Sequence, residues 1–155
     1  MNILSIGIIR GIHDIASAMW IGGLFFLGFL IFPQAARIEE PTLRYNFLKD
    51  IQQRLSRWII PAILMLLVTG LMLTRASGKV SGPFGFSDNY TTLLSIKHIL
   101  SILMVIIAIL RQIRLRKIWK NPPPALVAPK PFPVYLNLAL GILVLILSGM
   151  TSVLI

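Results

Sequence analysis

The two histidines are the residues of this chain with the clearest chemical potential. His13 and His98 both lie in apolar segments that are expected to cross a membrane. An imidazole in hydrocarbon loses its hydration, so an ionisable side chain in a span is by default a candidate functional group. Neutral imidazole is a ligand of haem iron and of copper. Two histidines on different helices at similar depth therefore predict one shared ligand.

The composition indicates an integral membrane protein. Apolar residues make up 56% of the 155 residues, and charged residues make up only 13%. The formal net charge of +10 does not predict nucleic-acid binding, because the basic residues fall between apolar runs, where membrane orientation explains them. Cysteine is absent, which excludes disulfides, thiolate metal sites, iron–sulfur clusters and covalently attached c-type haem.

Four apolar runs predict an all-α fold, an integral membrane four-helix bundle that forms a single domain over residues 1–155. Pro33 is expected to end the first helix or to mark its exit from the membrane. The third helix must continue past Arg111 toward Lys117 if the two histidines lie at similar depth. The expected helices cover about 3–32, 54–75, 91–116 and 134–155.

The basic residues between the runs predict the orientation. Eleven Lys and Arg residues lie between the first and second runs and between the third and fourth, whereas the middle connection carries only Arg75 and Lys79. The positive-inside rule then places both strongly basic connections in the cytoplasm and both termini on the outer side. We expect a multi-pass protein of a cell membrane, specifically a bacterial inner membrane. The lipid bilayer is accordingly an expected partner of the protein.

Neighbours of the histidines complete the expected site. Arg10 lies one helical turn outward from His13, and Lys97 precedes His98; both are placed to meet haem propionates or to snorkel to headgroups. The leading interpretation is a b-type haem with both histidines as axial ligands, and the alternatives are copper or an interhelical hydrogen bond. Further residues expected to contact the cofactor are Ser17, Trp20, Thr69, Gly70 and Ser101.

Six short segments occur in a characteristic order along the chain. They are Arg10-Gly-Ile-His13, Trp20-Ile-Gly22-Gly23-Leu-Phe-Phe, Arg54-Leu-Ser-Arg57, Leu67-Val-Thr69-Gly70-Leu, Leu93-Leu-Ser-Ile-Lys97 and Asn137-Leu-Ala-Leu-Gly141. Together they resemble copper-resistance D membrane proteins and the related four-helix, haem-binding protoporphyrinogen oxidases. The resemblance to the oxidases implies bound haem b and a signature pair of a first-helix His and a third-helix Lys, here His13 and Lys97. The oxidases usually carry a His where this chain has Ser95.

Three functions stay open at this point. The first is electron transfer through a b-type haem, as a small subunit of, or partner to, a quinol-linked membrane redox complex. The second is the oxidation of protoporphyrinogen IX, which requires an open tetrapyrrole pocket. The third is copper uptake or resistance; the inner half lacks the ladder of Met or His that transport across the membrane would need. No catalytic residue is assigned, because the sequence shows no nucleophile motif, carboxylate pair or phosphate-binding glycine loop.

Overall fold

The computed structural model describes residues 2–76, 84, 86, 88–122 and 128–153. Within these residues the regular structure is entirely helical, and four helices are long and apolar enough to cross a membrane. The expected membrane-spanning four-helix architecture is therefore confirmed for the described part of the chain. The helices are α1 (Ile3–Ala36), α2 (Pro41–Ala76), α3 (Asn89–Lys120) and α4 (Phe132–Val153).

Interhelical hydrogen bonds define the two ends of the bundle. At the first end, which we call the histidine end, α1 and α3 begin, and His13 and Lys97 bond to residues near the carboxyl ends of α2 and α4. At the other end, which we call the basic end, the hydroxyl of Tyr45 on α2 donates to the backbone carbonyl of Ile118 on α3 over 3.0 Å. The four helices therefore alternate in direction.

Helices α2 and α3 extend well beyond their apolar runs at the basic end. The first of them begins at Pro41 rather than near residue 54, and the second continues through Arg111 to Lys120. Hydropathy understates both lengths because these turns carry arginine and lysine, whose long stems pack on a helix while their charges reach water. The extension of α3 past Arg111, which equal depth of the two histidines required, is present. Residues 154–155 of the expected fourth helix lie outside the described residues.

Helix α1 continues past Pro33, and a π-helical segment directly precedes this proline. In a π-helix each carbonyl pairs with the N–H five residues later, and for Gly28 that residue is Pro33, which has no N–H. The hydroxyl of Tyr135 on α4 donates to the Gly28 carbonyl instead, over 2.7 Å. The expectation that Pro33 ends the helix is therefore wrong, whereas its place at the exit from the membrane stays a prediction. The backbone is α-helical over Ile3–Phe25, π-helical over Phe26–Ile31 and α-helical over Phe32–Ala36.

The core is built where α1 packs along α2 and where α3 packs along α4. Glycines let these pairs approach closely: a Cβ at Gly23 would lie 2.9 Å from Ile59 Cδ1, and one at Gly141 would lie 3.1 Å from Met104 Cε. In contrast, the backbones of α2 and α3 stay farther apart, and hydrogen bonds from polar side chains link these helices near both ends. The largest buried side chains of the core include Trp20, Leu24, Leu27, Leu48, Met104 and Leu138.

The expected orientation is testable because the chain has no cysteine of its own. Ser152 at the histidine end and Asn121 at the basic end are both exposed. In intact cells, a single cysteine in Ser152→Cys should react with a membrane-impermeant maleimide. The cysteine in Asn121→Cys should react only after the membrane is opened. The reverse pattern would place the histidine end in the cytoplasm.

Candidate functional site

His13 is held by α2 through a directional hydrogen bond. Its Nδ1 lies 2.9 Å from the hydroxyl of Thr69, and that hydroxyl donates to the backbone carbonyl of Met65 over 2.6 Å. A hydroxyl has one hydrogen, so Thr69 accepts from His13, and we assign the imidazole proton to Nδ1. This leaves the lone pair of Nε2 available. Gly70 lies beside the ring, and a Cβ there would be in ordinary van der Waals contact with Cε1, at 3.6 Å.

His98 contacts the same stretch of α2, nearer its carboxyl end. Its Nε2 lies 3.3 Å from the hydroxyl of Thr74, which donates to the carbonyl of Gly70 over 2.9 Å. The Nδ1 atom of His98 is buried beside the backbone carbonyl of Leu94, without a partner at full hydrogen-bond geometry among the described residues. The ring of Phe84 meets the imidazole edge-on, with ring centroids 6.5 Å apart.

The two imidazoles occupy successive levels of α2. Thr69 and Thr74 are five residues apart, which is about 7.5 Å along a helix axis. Two axial histidines must instead present their nitrogens to one iron from opposite sides of a porphyrin. In this structure each imidazole contacts its own threonine, and the described contacts give no support to a bis-histidine haem. The two cavities found between α2 and α3 are lined by neither histidine.

Lys97 joins the histidine end to α4. Its ammonium donates to the hydroxyl of Ser148 over 2.9 Å. Lys97 also lies within electrostatic range of His13, Arg10 and Asp14. Arg10 and Asp14 are exposed, whereas Lys97 is partly buried. Lys97, Arg10 and Asp14 together place a net charge of one positive unit near the His13 imidazole.

The other expected site residues divide into two groups. Ser17 donates its hydroxyl to the carbonyl of His13 over 2.9 Å, and Ser101 donates to the carbonyl of Lys97 over 2.8 Å. Both hydroxyl protons are thus used within their own helices and are not offered to a ligand. Trp20 is 5% exposed and belongs to the core, two turns from His13. The structure brings Thr69 and Gly70 to His13 and keeps Trp20 away from it.

A second polar group, which the sequence pattern did not predict, lies at the basic end. A guanidinium nitrogen of Arg111 donates to Gln52 Oε1, and the hydroxyl of Ser56 lies 3.1 Å from Gln112 Oε1. The sequence signal is the spacing of Gln52 and Ser56, four residues apart on one helix face. It is visible only once α2 is extended to Pro41. Thr74, which contacts His98, was missed as well, although it follows Gly70 by one turn.

The family model described as copper resistance protein D matches residues 49–151, about two thirds of the chain. This chain belongs to the copper resistance protein D family. The matched region contains Thr69, Lys97 and His98, whereas His13 precedes it. Neither a curated protein nor a solved structure matches the chain.

The histidine end is the part of this copper resistance protein D family member that offers imidazole nitrogens. Imidazole suits copper in both of its common oxidation states better than carboxylate or carbonyl oxygen does. Among the described residues, no group of three or more His, Asp or Glu side chains is placed to hold a metal ion. Met104 is buried in the core, and the thioethers of Met19, Met65, Met72 and Met150 are on exposed residues.

Proposed function

We propose that this membrane protein handles copper, with the ion as cargo that contacts His98 and His13 at the outer end of the bundle. The family match supports copper as the substrate. The single observation that carries the residue assignment is that both imidazoles are anchored on the same stretch of α2, through Thr69 and Thr74.

The contact between Thr69 and His13 supports this role. Ligating histidines usually donate their second ring N–H to an oxygen, which fixes the tautomer and raises the basicity of the ligating nitrogen. Thr69 is such an oxygen, and it is itself fixed by its bond to the Met65 carbonyl. His13 would accordingly present Nε2 to copper.

The basic end argues for capture and transfer at the outer face rather than conduction through the bundle. Arg111 and Arg116 line the cavity between α2 and α3. A copper cation about 8 Å from a guanidinium would be repelled by about 2 kcal/mol at an effective dielectric constant of about 20. The same geometry gives no support to electron transfer through a bis-histidine haem or to protoporphyrinogen oxidation. Copper handling is therefore the function that we propose.

Removing the charge of Lys97 should strengthen copper binding but weaken haem binding, so this change distinguishes the two functions. In Lys97→Gln a cation near both histidines is lost, and we expect the affinity for Cu(I) to rise about tenfold, because unit charges about 10 Å apart interact by about 1.7 kcal/mol. The measurement is competition with a chromophoric Cu(I) chelator, using protein in lipid nanodiscs. Lys120→Gln, an exposed position at the far end of the same helix, is the matched control and should leave the affinity unchanged.

A haem-binding protein would give a different result. If Lys97 instead met haem propionates, the purified protein would carry a b-type optical spectrum, and Lys97→Gln would weaken it. Lower or unchanged Cu(I) affinity in Lys97→Gln, together with such a spectrum, would contradict copper as the cargo.

A further inference from the structure

A groove between α2 and α3 has a polar floor and an apolar wall. It holds a cavity of about 290 Å³ whose polar lining includes Gln52, Arg111 and Arg116. A more open cavity of about 670 Å³ adjoins it, shares Arg116, and adds Arg57 and Trp119. The apolar wall of the smaller cavity continues along α2 as far as Leu67.

The groove carries positive charge without a matching anion. Arg57, Arg111 and Arg116 line it, and the bond of Arg111 among the described residues is to the neutral amide of Gln52. The structure describes all five acidic residues of the chain, and none of them lines either cavity. A guanidinium in a partly apolar site is stabilised by an anion that accepts several of its N–H groups.

Two buried hydrogen-bond donors also face this region without partners. Gln52 is 1% exposed and Trp119 is 8% exposed, yet Gln52 Nε2 and Trp119 Nε1 have no acceptor among the described residues. Nearly all buried donors in folded proteins are paired, so each such donor calls for a missing acceptor. Asn137 Oδ1, which is also unpaired and lines the smaller cavity, would accept from a hydroxyl.

We propose that this groove binds one anionic phospholipid from the membrane leaflet at the basic end. The phosphate would accept from Arg111, Arg116 and Gln52, and an acyl chain would lie along the apolar wall. Basic pockets between transmembrane helices are known to take anionic headgroups. This site is separate from the histidines and does not depend on copper handling.

The dimensions of the groove agree with a lipid. Gln52 lies six residues before Trp58, where the apolar run of α2 starts, which places the polar floor about 9 Å below that run. From Gln52 to Leu67 the groove follows α2 for about 22 Å. One leaflet of hydrocarbon is about 15 Å thick, so headgroup and chain both have room.

The test measures lipid binding by the purified full chain in neutral detergent. Dioleoyl phosphatidylglycerol and dioleoyl phosphatidylcholine are added separately, and bound lipid is counted by native mass spectrometry. We expect saturable binding of one phosphatidylglycerol and markedly weaker binding of phosphatidylcholine. Arg111→Gln should weaken phosphatidylglycerol binding about fivefold, the effect of one basic side chain at an anionic headgroup. Arg116→Gln, at an exposed residue whose loss should not impair folding, should act in the same direction.

Arg114→Gln is the matched control, because Arg114 is exposed on the same helix and lines neither cavity. It removes the same charge and should leave binding unchanged. Equal binding of the two lipids, or equal losses in Arg111→Gln and Arg114→Gln, would overturn the proposal. Displacement of the lipid by millimolar inorganic phosphate would also overturn it, since that result would indicate a site for free phosphate rather than for a lipid.

Discussion

Replacing His13 and His98 together with alanine is expected to lower the affinity of the purified protein for Cu(I) by about a hundredfold or more. Loss of an outer hydrogen-bond partner alone typically costs 10- to 100-fold in metal affinity, and here the ligating groups themselves are removed. Both side chains are only partly buried, so their truncation should spare the fold. The affinity is measured by chelator competition in nanodiscs, alongside thermal unfolding of each variant.

Each histidine should contribute separately, because the two imidazoles lie at different levels of α2. His13→Ala and His98→Ala should each lose part of the affinity, and Thr69→Val should act like a weaker form of His13→Ala by releasing the ring. Met19→Leu is the control, since it removes an exposed thioether of α1 and keeps both imidazoles. Full Cu(I) affinity in the double variant would show that copper binds elsewhere, or not at all.

Gln52→Leu is expected to destabilise the protein by about 2 to 3 kcal/mol. Gln52 is 1% exposed and accepts a hydrogen bond from Arg111, and bonds to charged groups are worth about 1.5–3 kcal/mol. The leucine would leave the guanidinium without this acceptor in a partly apolar groove. The free energy of unfolding is measured by reversible denaturation in mixed micelles.

The adjacent residue supplies the control for this change. Gln53 is exposed, so Gln53→Leu makes the same substitution one position along α2 and should change the free energy of unfolding by less than about 0.5 kcal/mol. Similar destabilisation by both variants would mean that helix propensity or surface polarity, rather than the bond to Arg111, determines the effect.

The sequence predicts the four spans and the end of the bundle where the histidines lie, because both depend on hydropathy and chain direction. It does not predict which side chain each histidine faces. His13 is matched to Thr69 and His98 to Thr74 by the rotation of α2 about its axis. Two residues on α2 that differ by one position point about 100° apart, so small differences in packing decide between a shared ligand and two separate contacts.

The basic end was harder to predict, since charged residues obscured the helices there. The third helix was expected to continue past Arg111 to about residue 116, and it extends one further turn, to Lys120. Gln52 precedes the expected start of α2 altogether. Their pairing is a long-range contact between helices whose backbones stay apart, and hydropathy contains no information about such a contact.

The π-helical turn of α1 also determines the direction in which His13 points. Such a turn is equivalent to one residue inserted into an α-helix, and one residue corresponds to about 100° of rotation. The segment Phe26–Ile31, which the Tyr135 bond to Gly28 holds, therefore sets the angular offset between two halves of α1. One half carries His13, and the other packs into the core toward the basic end through Phe32 and Ala35. A chain shortened by one residue within this segment would have its histidine facing away from Thr69. The orientation of the imidazole is thus set about 20 Å away along the helix, in a stretch that contains no ionisable group.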